Sequence, residues 1–246
     1  MKLIGTIVLV LPLLATESLA QDISGSIIIK KTLTRRSVTA PVSMYQRGVS
    51  VHLGKAAGDD PLAYEQSRVV VYLEGSVANN QETTDPSTPA KIQQIDRQFV
   101  PDLIVVPVGS VVSFPNMDPI FHDVYSLSKA KSFDLGAYDK GETRRVTFTK
   151  PGIVEVYCHL HPNMAATVVV MPNRYYARPD HDGRYRISNV PPGHYTLVAW
   201  HKTAGFFRKA IDVATDQTTT ADFLLPLGVD SIPQTSGGDG NSAGSR

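Results

Sequence analysis

One cysteine, Cys158, stands alone among 246 residues, so the chain can form no internal disulfide. Exported proteins of this size often use paired thiols, and an unpaired thiol in an oxidising compartment is a liability unless it is buried or bound. The residues around Cys158 are therefore the most informative part of the sequence. Charge of one sign is missing too: 24 Lys and Arg against 23 Asp and Glu leave a formal net charge of +1. That balance supports neither a nucleic-acid surface nor a polybasic membrane patch. Beyond Ala15 no apolar run approaches the about 20 residues that a spanning helix needs. No long amphipathic helix, nucleophile elbow, phosphate loop or pair of catalytic carboxylates can be picked out.

At the start, Lys2, the mostly apolar stretch from Leu3 to Ala15, and Ser18-Leu19-Ala20 read as a secretory leader with a small-x-small cleavage site. This predicts a signal peptide over residues 1–20, a mature chain starting near Gln21, and a periplasmic or secreted location. A permanent anchor is the rival, but Thr16-Glu17-Ser18 breaks the apolar run too early. At the other end, residues 227–246 are rich in Gly and Ser and predict a disordered tail.

Between these ends, short segments rich in β-branched residues recur: Ile23–Ile29, Arg68–Leu73, Leu103–Val108, Val111–Phe114, Arg145–Phe148, Val154–Tyr157 and Ala166–Met171. Turn formers such as Pro115-Asn116 and Lys150-Pro151-Gly152 separate them. Residues 54–66 and 78–93 are polar, proline-bearing connections. The pattern predicts an all-β sandwich architecture rather than alternating α/β. Alternation on both sides of Pro191-Pro192-Gly193 predicts a β-hairpin there.

The chemistry concentrates in Val156-Tyr157-Cys158-His159-Leu160-His161-Pro162-Asn163-Met164. Leaving a strand, it offers a thiolate, an imidazole and a thioether at Cys-x-x-His-x-x-Met spacing. Soft and borderline donors of this kind suit a mononuclear copper held by two His, one Cys and a weak axial Met. The second imidazole must come from elsewhere, and His122, entering a strand 36 residues before Cys158, is the candidate. The set is thus His122, Cys158, His161 and Met164. His159 is a surface or packed histidine on one reading and part of a second copper site on another; neighbouring side chains on a strand end point to opposite sides, which turns it away from Cys158. His52, His181, His194 and His201 are isolated and read as solvated or structural. Met44, Met117 and Met171 read as packing residues, and Phe114, Phe121, Tyr157 and Pro162 as shielding of the metal.

Residues 95–172, with the strand-turn-His122 segment and the Tyr157-Cys158-x-x-His161-Pro162-x-Met164 loop, resemble the cupredoxins, especially plastocyanin-, pseudoazurin- and amicyanin-like members. The resemblance implies a Greek-key β-sandwich with one copper near one end, one-electron transfer, and a redox partner such as a cytochrome or copper oxidoreductase. The chain departs from that family at Asp123, where members usually carry an Asn that ties the two ligand loops together. A carboxylate has no amide donor, and its charge near a copper favours Cu(II).

A second resemblance lies further on. Asp180-x-Asp182-Gly183-Arg184-Tyr185-x-Ile187 and Val190-Pro191-Pro192-Gly193-x-Tyr195-x-Leu197 look like the second half of a carboxypeptidase-regulatory-like (transthyretin-like) sandwich, over residues 173–226. Gly25-x-Ile27 and Val70-Val71-Tyr72-Leu73-Glu74-Gly75 resemble its first half, within residues 21–94. Either the copper-type domain is inserted between two halves of a smaller sandwich, or the N-terminal strands extend the cupredoxin sheet. Three functions remain open: an electron carrier that is not an enzyme; a non-redox copper module for delivery, storage or sensing in the cell envelope; and a copper reductase, which would need a second metal.

Overall fold

The computed structural model describes residues 20–33, 60–75, 77, 90–215 and 217–226. All but Ala20 of the expected leader, the expected tail, Met44 and His52 lie outside the described residues. The elements in chain order are β1 (Gln21–Ile29), α1 (Pro61–Gln66), β2 (Val69–Leu73), β3 (Ala90–Lys91), β4 (Gln93–Ile95), β5 (Gln98–Val100), β6 (Leu103–Pro107), β7 (Val111–Pro115) and β8 (His122–Ser128). They continue with β9 (Lys131–Tyr138), β10 (Thr143–Thr147), β11 (Gly152–Cys158), β12 (Ala165–Met171), β13 (Tyr176–Ala177), β14 (Arg184–Val190), β15 (Gly193–His201), β16 (Gly205–Val213), β17 (Thr219–Thr220) and β18 (Phe223–Leu225). The fold is all-β, as its short β-branched segments predict.

Two sandwiches share the chain. In one, the sheet β6-β12-β11-β8-β9 faces β10-β7-β3 across a core that includes Val112, Phe114, Val124, Phe148, Val154 and Val156. The chain crosses between these layers at β6–β7, β7–β8, β9–β10 and β10–β11, as in a Greek key. In the smaller one, β1 pairs with β14, β17 and β18, and faces β13-β2-β15-β16 over Ile23, Ile27, Leu73, Ile187, Leu197 and Phe223. Its strands β1 and β2 precede the first sandwich in the chain, and β13 to β18 follow it.

The apolar runs of β2, β12 and β15 have one physical cause: each is buried on both faces. Val69, Val71 and Leu73 point into the smaller core, whereas Val70 joins Leu103, Val169, Met171 and Trp200 in a third cluster between the sandwiches. On β12 the alternation runs the same way, with Ala166, Val168 and Val170 in the larger core. Ion pairs Arg68–Asp102 and Lys202–Glu155 also join the two sandwiches. Gly25 is required by a close approach, since a Cβ there would lie 1.8 Å from the Ala221 carbonyl oxygen.

Three expectations need correction. The Pro191-Pro192-Gly193 turn does not close a hairpin: β14 pairs with β1, and β15 with β2 and β16, so the turn carries the chain from one layer to the other. Alternation fixes which face of a strand is buried but not which strand lies beside it. Within the connection expected over 54–66, residues 61–66 form a short helix, begun by Pro61 and capped by Asp60, whose Oδ1 accepts the Leu62 N–H at 2.9 Å. Within that expected over 78–93, Ala90–Lys91 and the first residue of Gln93–Ile95 are strand, Ala90–Lys91 pairing with β7.

Candidate metal centre

β8 begins at His122 and β11 ends at Cys158, and the two strands pair antiparallel with Cys158 opposite Val124. This register closes the 36-residue gap between the two residues. On β8, His122 and Val124 face inward and Asp123 and Tyr125 outward. The loop after Cys158 is drawn tight where the Met164 N–H donates to the His161 carbonyl at 3.0 Å. His122, Cys158 and Met164 are all buried, and His161 is half-buried.

The Cys158 Sγ lies 3.7 Å from Nδ1 of His122 and 3.6 Å from Nδ1 of His161. The two imidazole rings stand 4.7 Å apart, tilted by 57°. A thiolate at about 2.3 Å and an imidazole at about 2.0 Å from one ion, 110–120° apart, stand about 3.5–3.7 Å from each other. One sulfur and two nitrogens are therefore already spaced as ligands of a single ion, and His122, Cys158 and His161 form a group able to hold one. The soft thiolate and the two imidazoles are donors that fit copper, and Met164 lies in the same buried cluster as Cys158.

Electrostatics act differently on the three donors. Burial raises the Cys158 thiol, but hydrogen bonding from His122 and from the backbone N–H groups of Asp123, Leu160 and His161 overcomes it, leaving the thiol below its ordinary value. His161 is held below the usual histidine range, first by burial and then by the neighbouring His122, which favours its neutral ring. Burial also lowers His122, but hydrogen bonds with Cys158 and Asp118 carry it above the ordinary value.

Asp118 is a site residue that sequence reasoning missed. Its Oδ2 sits 2.9 Å from Nε2 of His122, which fixes the ring and presents Nδ1 to the sulfur. Asp118 is itself held by the backbone N–H groups of Asp96 at 2.6 Å and Arg97 at 2.9 Å. Those two residues form the two-residue turn between β4 and β5, both with positive φ (52° and 57°), a conformation usually given to Asn-Gly. Burial raises the Asp118 carboxyl, but the Arg97, His122 and Asp96 hydrogen bonds hold it below the usual range. Asn116 braces the same loop: Nδ2 donates to the carbonyls of Ile120 (2.8 Å) and Tyr138 (3.1 Å), and Oδ1 accepts the Asp118 N–H (2.9 Å). The one available signal was Asn116-x-Asp118 just before His122.

At Asp123 the tie between loops is made by main chain: its carbonyl accepts the His159 N–H at 2.9 Å. The family's Asn is thus not needed for that link. The Asp123 carboxyl lies above its ordinary value, through burial first and then the charge of Asp134.

Of the residues expected to shield the metal, Phe114 lies in the core, whereas Phe121, Tyr157 and Pro162 are exposed. Met171 packs between the sandwiches, but Met117 is 49% exposed. His181 and His194 are exposed, each beside an aspartate.

Residues 161–226 match the carboxypeptidase regulatory-like domain model. No curated protein matches the chain. Among solved structures, the copper-containing nitrite reductase of Thermus scotoductus SA-01 is similar at 29% identity and a TM-score of 0.33 over 34% of this chain. The match spans only 22% of that enzyme's length. A reduced amicyanin variant is similar at 21% identity and a TM-score of 0.33, covering 41% of this chain and 98% of its own. The purple cupredoxin of Nitrosopumilus maritimus follows at 23% identity and a TM-score of 0.31, covering 33% and 99%. The chain is similar to a carboxypeptidase regulatory-like domain over residues 161–226, and its likeness to the cupredoxin structures is partial.

Proposed function

We propose that this chain is an exported type 1 copper protein that carries one electron at a time and is not itself an enzyme. The observation that supports this reading is the buried Cys158 sulfur with the Nδ1 atoms of His122 and His161 at 3.7 and 3.6 Å. Copper bound there, with Met164 as the weak axial contact, would supply a Cu(I)/Cu(II) couple. The chain's own contribution is rigidity. Asp118, the Asp96-Arg97 turn and the Asp123–His159 main-chain bond hold the donors in place, so little has to move when the charge changes. His161 is half-buried and serves as the exit toward a partner. Met117, Phe121 and Leu160, each next in sequence to Asp118, His122 or His161, are 49–55% exposed, which suits transient docking of a cytochrome or copper oxidoreductase. No helix among the described residues is long and apolar enough to cross a membrane. The leader read from residues 1–20 supports a periplasmic or secreted site of action.

Voltammetry of the copper-loaded protein, run beside a challenge with a Cu(I) chelator, tests the carrier role. A carrier gives a reversible one-electron wave and retains its copper. An irreversible wave with ready loss of copper to the chelator would favour a delivery or storage module instead.

A further inference from the structure

The outer face of the strands that carry His122 and Cys158 holds a second convergence of donors. Asp123 lies on β8, Asp134 on β9, and His159 just past β11; one ligand atom from each lies within 4.8 Å of the others. Because strand neighbours point to opposite sides, His122 and Cys158 turn inward where Asp123 and His159 turn outward. We propose that Asp123, Asp134 and His159 form a second metal site, for a borderline divalent ion such as Zn(II), distinct from the thiolate centre.

Each donor is held before any ion arrives. His159 stacks on Tyr125 with ring centroids 3.6 Å apart and planes 7° from parallel, and its N–H is tied to the Asp123 carbonyl at 2.9 Å. Asp134 is placed by a bulge: Asp123 stands opposite Ala137 and Tyr125 opposite Asp134, so β9 carries an extra residue there. Gly136, at φ 66°, gives β9 the turn this needs, and its N–H donates to Asp134 Oδ1 at 2.9 Å, leaving Oδ2 toward the histidine.

The spacing points to a bridged pair rather than a hydrogen bond. Asp134 Oδ2 and His159 Nε2 are 3.6 Å apart, too far to bond directly. Donors 2.0–2.2 Å from a tetrahedral zinc stand about 3.4 Å from one another. The third donor adjoins that pair: the Asp123 carboxyl is hydrogen-bonded with Asp134, while its Oδ1 is buried without a hydrogen-bond partner, a crowding of carboxylates that a cation relieves. The side chains of His159 and Asp134 are 47% and 60% exposed, so water can complete the shell of an ion bound there. Oxygen and imidazole donors without sulfur separate this site chemically from the first and select zinc-like ions over Cu(I).

Calorimetric titration of the full-length, copper-loaded protein with zinc chloride tests the proposal, with visible absorption followed in parallel. The expected result is one Zn(II) per chain, with affinity falling at least about tenfold in both His159→Ala and Asp134→Asn while the copper–thiolate band persists in each. Absence of zinc binding would overturn the site, as would binding that both variants leave unchanged. Loss of binding in His181→Ala instead would assign the zinc to the exposed Asp180-His181-Asp182 turn and equally overturn it.

Discussion

His122 and His201 are the two fully buried histidines among the described residues, one in each sandwich, and each aims Nε2 at a buried carboxylate. Asp118 meets the first at 2.9 Å and Glu65 the second at 3.0 Å. The difference lies at Nδ1. In His201 it accepts the backbone N–H groups of Thr203 and Ala204, both at 3.1 Å, so that ring has no donor atom left to offer. In His122 it faces a sulfur and a second imidazole, with no backbone N–H bonded to it. A buried His–carboxylate pair is therefore closed or open to a further ligand according to what its other nitrogen meets. Proton affinities follow the same split: burial leads in holding His201 below the usual histidine range, while Cys158 and Asp118 carry His122 above it.

The sharpest way to break this contrast is to remove each carboxylate. Glu65→Ala leaves the buried His201 Nε2 and the Leu33 N–H without their acceptor, and should cost about 1–3 kcal/mol of stability in denaturant unfolding while the copper spectrum stays unchanged. A spectral change without loss of stability would reverse the assignment. Asp118→Asn weakens the fixing of the His122 ring, and should reduce copper affinity about 10–100-fold in competition titration.

Acid separates the pair more gently. Because His201 binds its proton less readily when folded than its ordinary value of 6.5, the unfolded chain takes up that proton first. The stability that neutral His201 contributes is complete above about pH 6.5 and is lost as pH falls below it, by at most about 1.4 kcal/mol per pH unit. Thermal melts of the copper-loaded protein should show this acid loss, and His201→Gln should flatten it. The smallest effect belongs to Asp123, whose carboxylate favours Cu(II): Asp123→Asn should raise the reduction potential. A lower or equal potential in the variant would refute that reading.

What could be read in the sequence was set by local chemistry. Short β-branched segments made the all-β fold legible, and Cys158-x-x-His161-x-x-Met164 announced its own donors through soft ligands at close spacing. Non-local pairing was less legible. Pro191-Pro192-Gly193 suggested a hairpin, yet β14 finds its partner in β1, more than 150 residues earlier. Asp118 escaped notice because its role depends on two N–H groups from a turn 21 and 22 residues upstream. Glu65 and His201, 136 residues apart, could not be matched without the packing of α1 beside β15.

Under the proposed function the buried Cys158, rather than any other histidine-bearing site, holds a redox copper. Visible absorption of the Cu(II)-loaded protein beside its Cys158→Ala and His201→Gln variants tests it most directly. An intense thiolate-to-copper band is expected in the wild type and in His201→Gln, and none in Cys158→Ala; no band in the wild type, or a band that survives in Cys158→Ala, would rule out a copper–thiolate centre at Cys158.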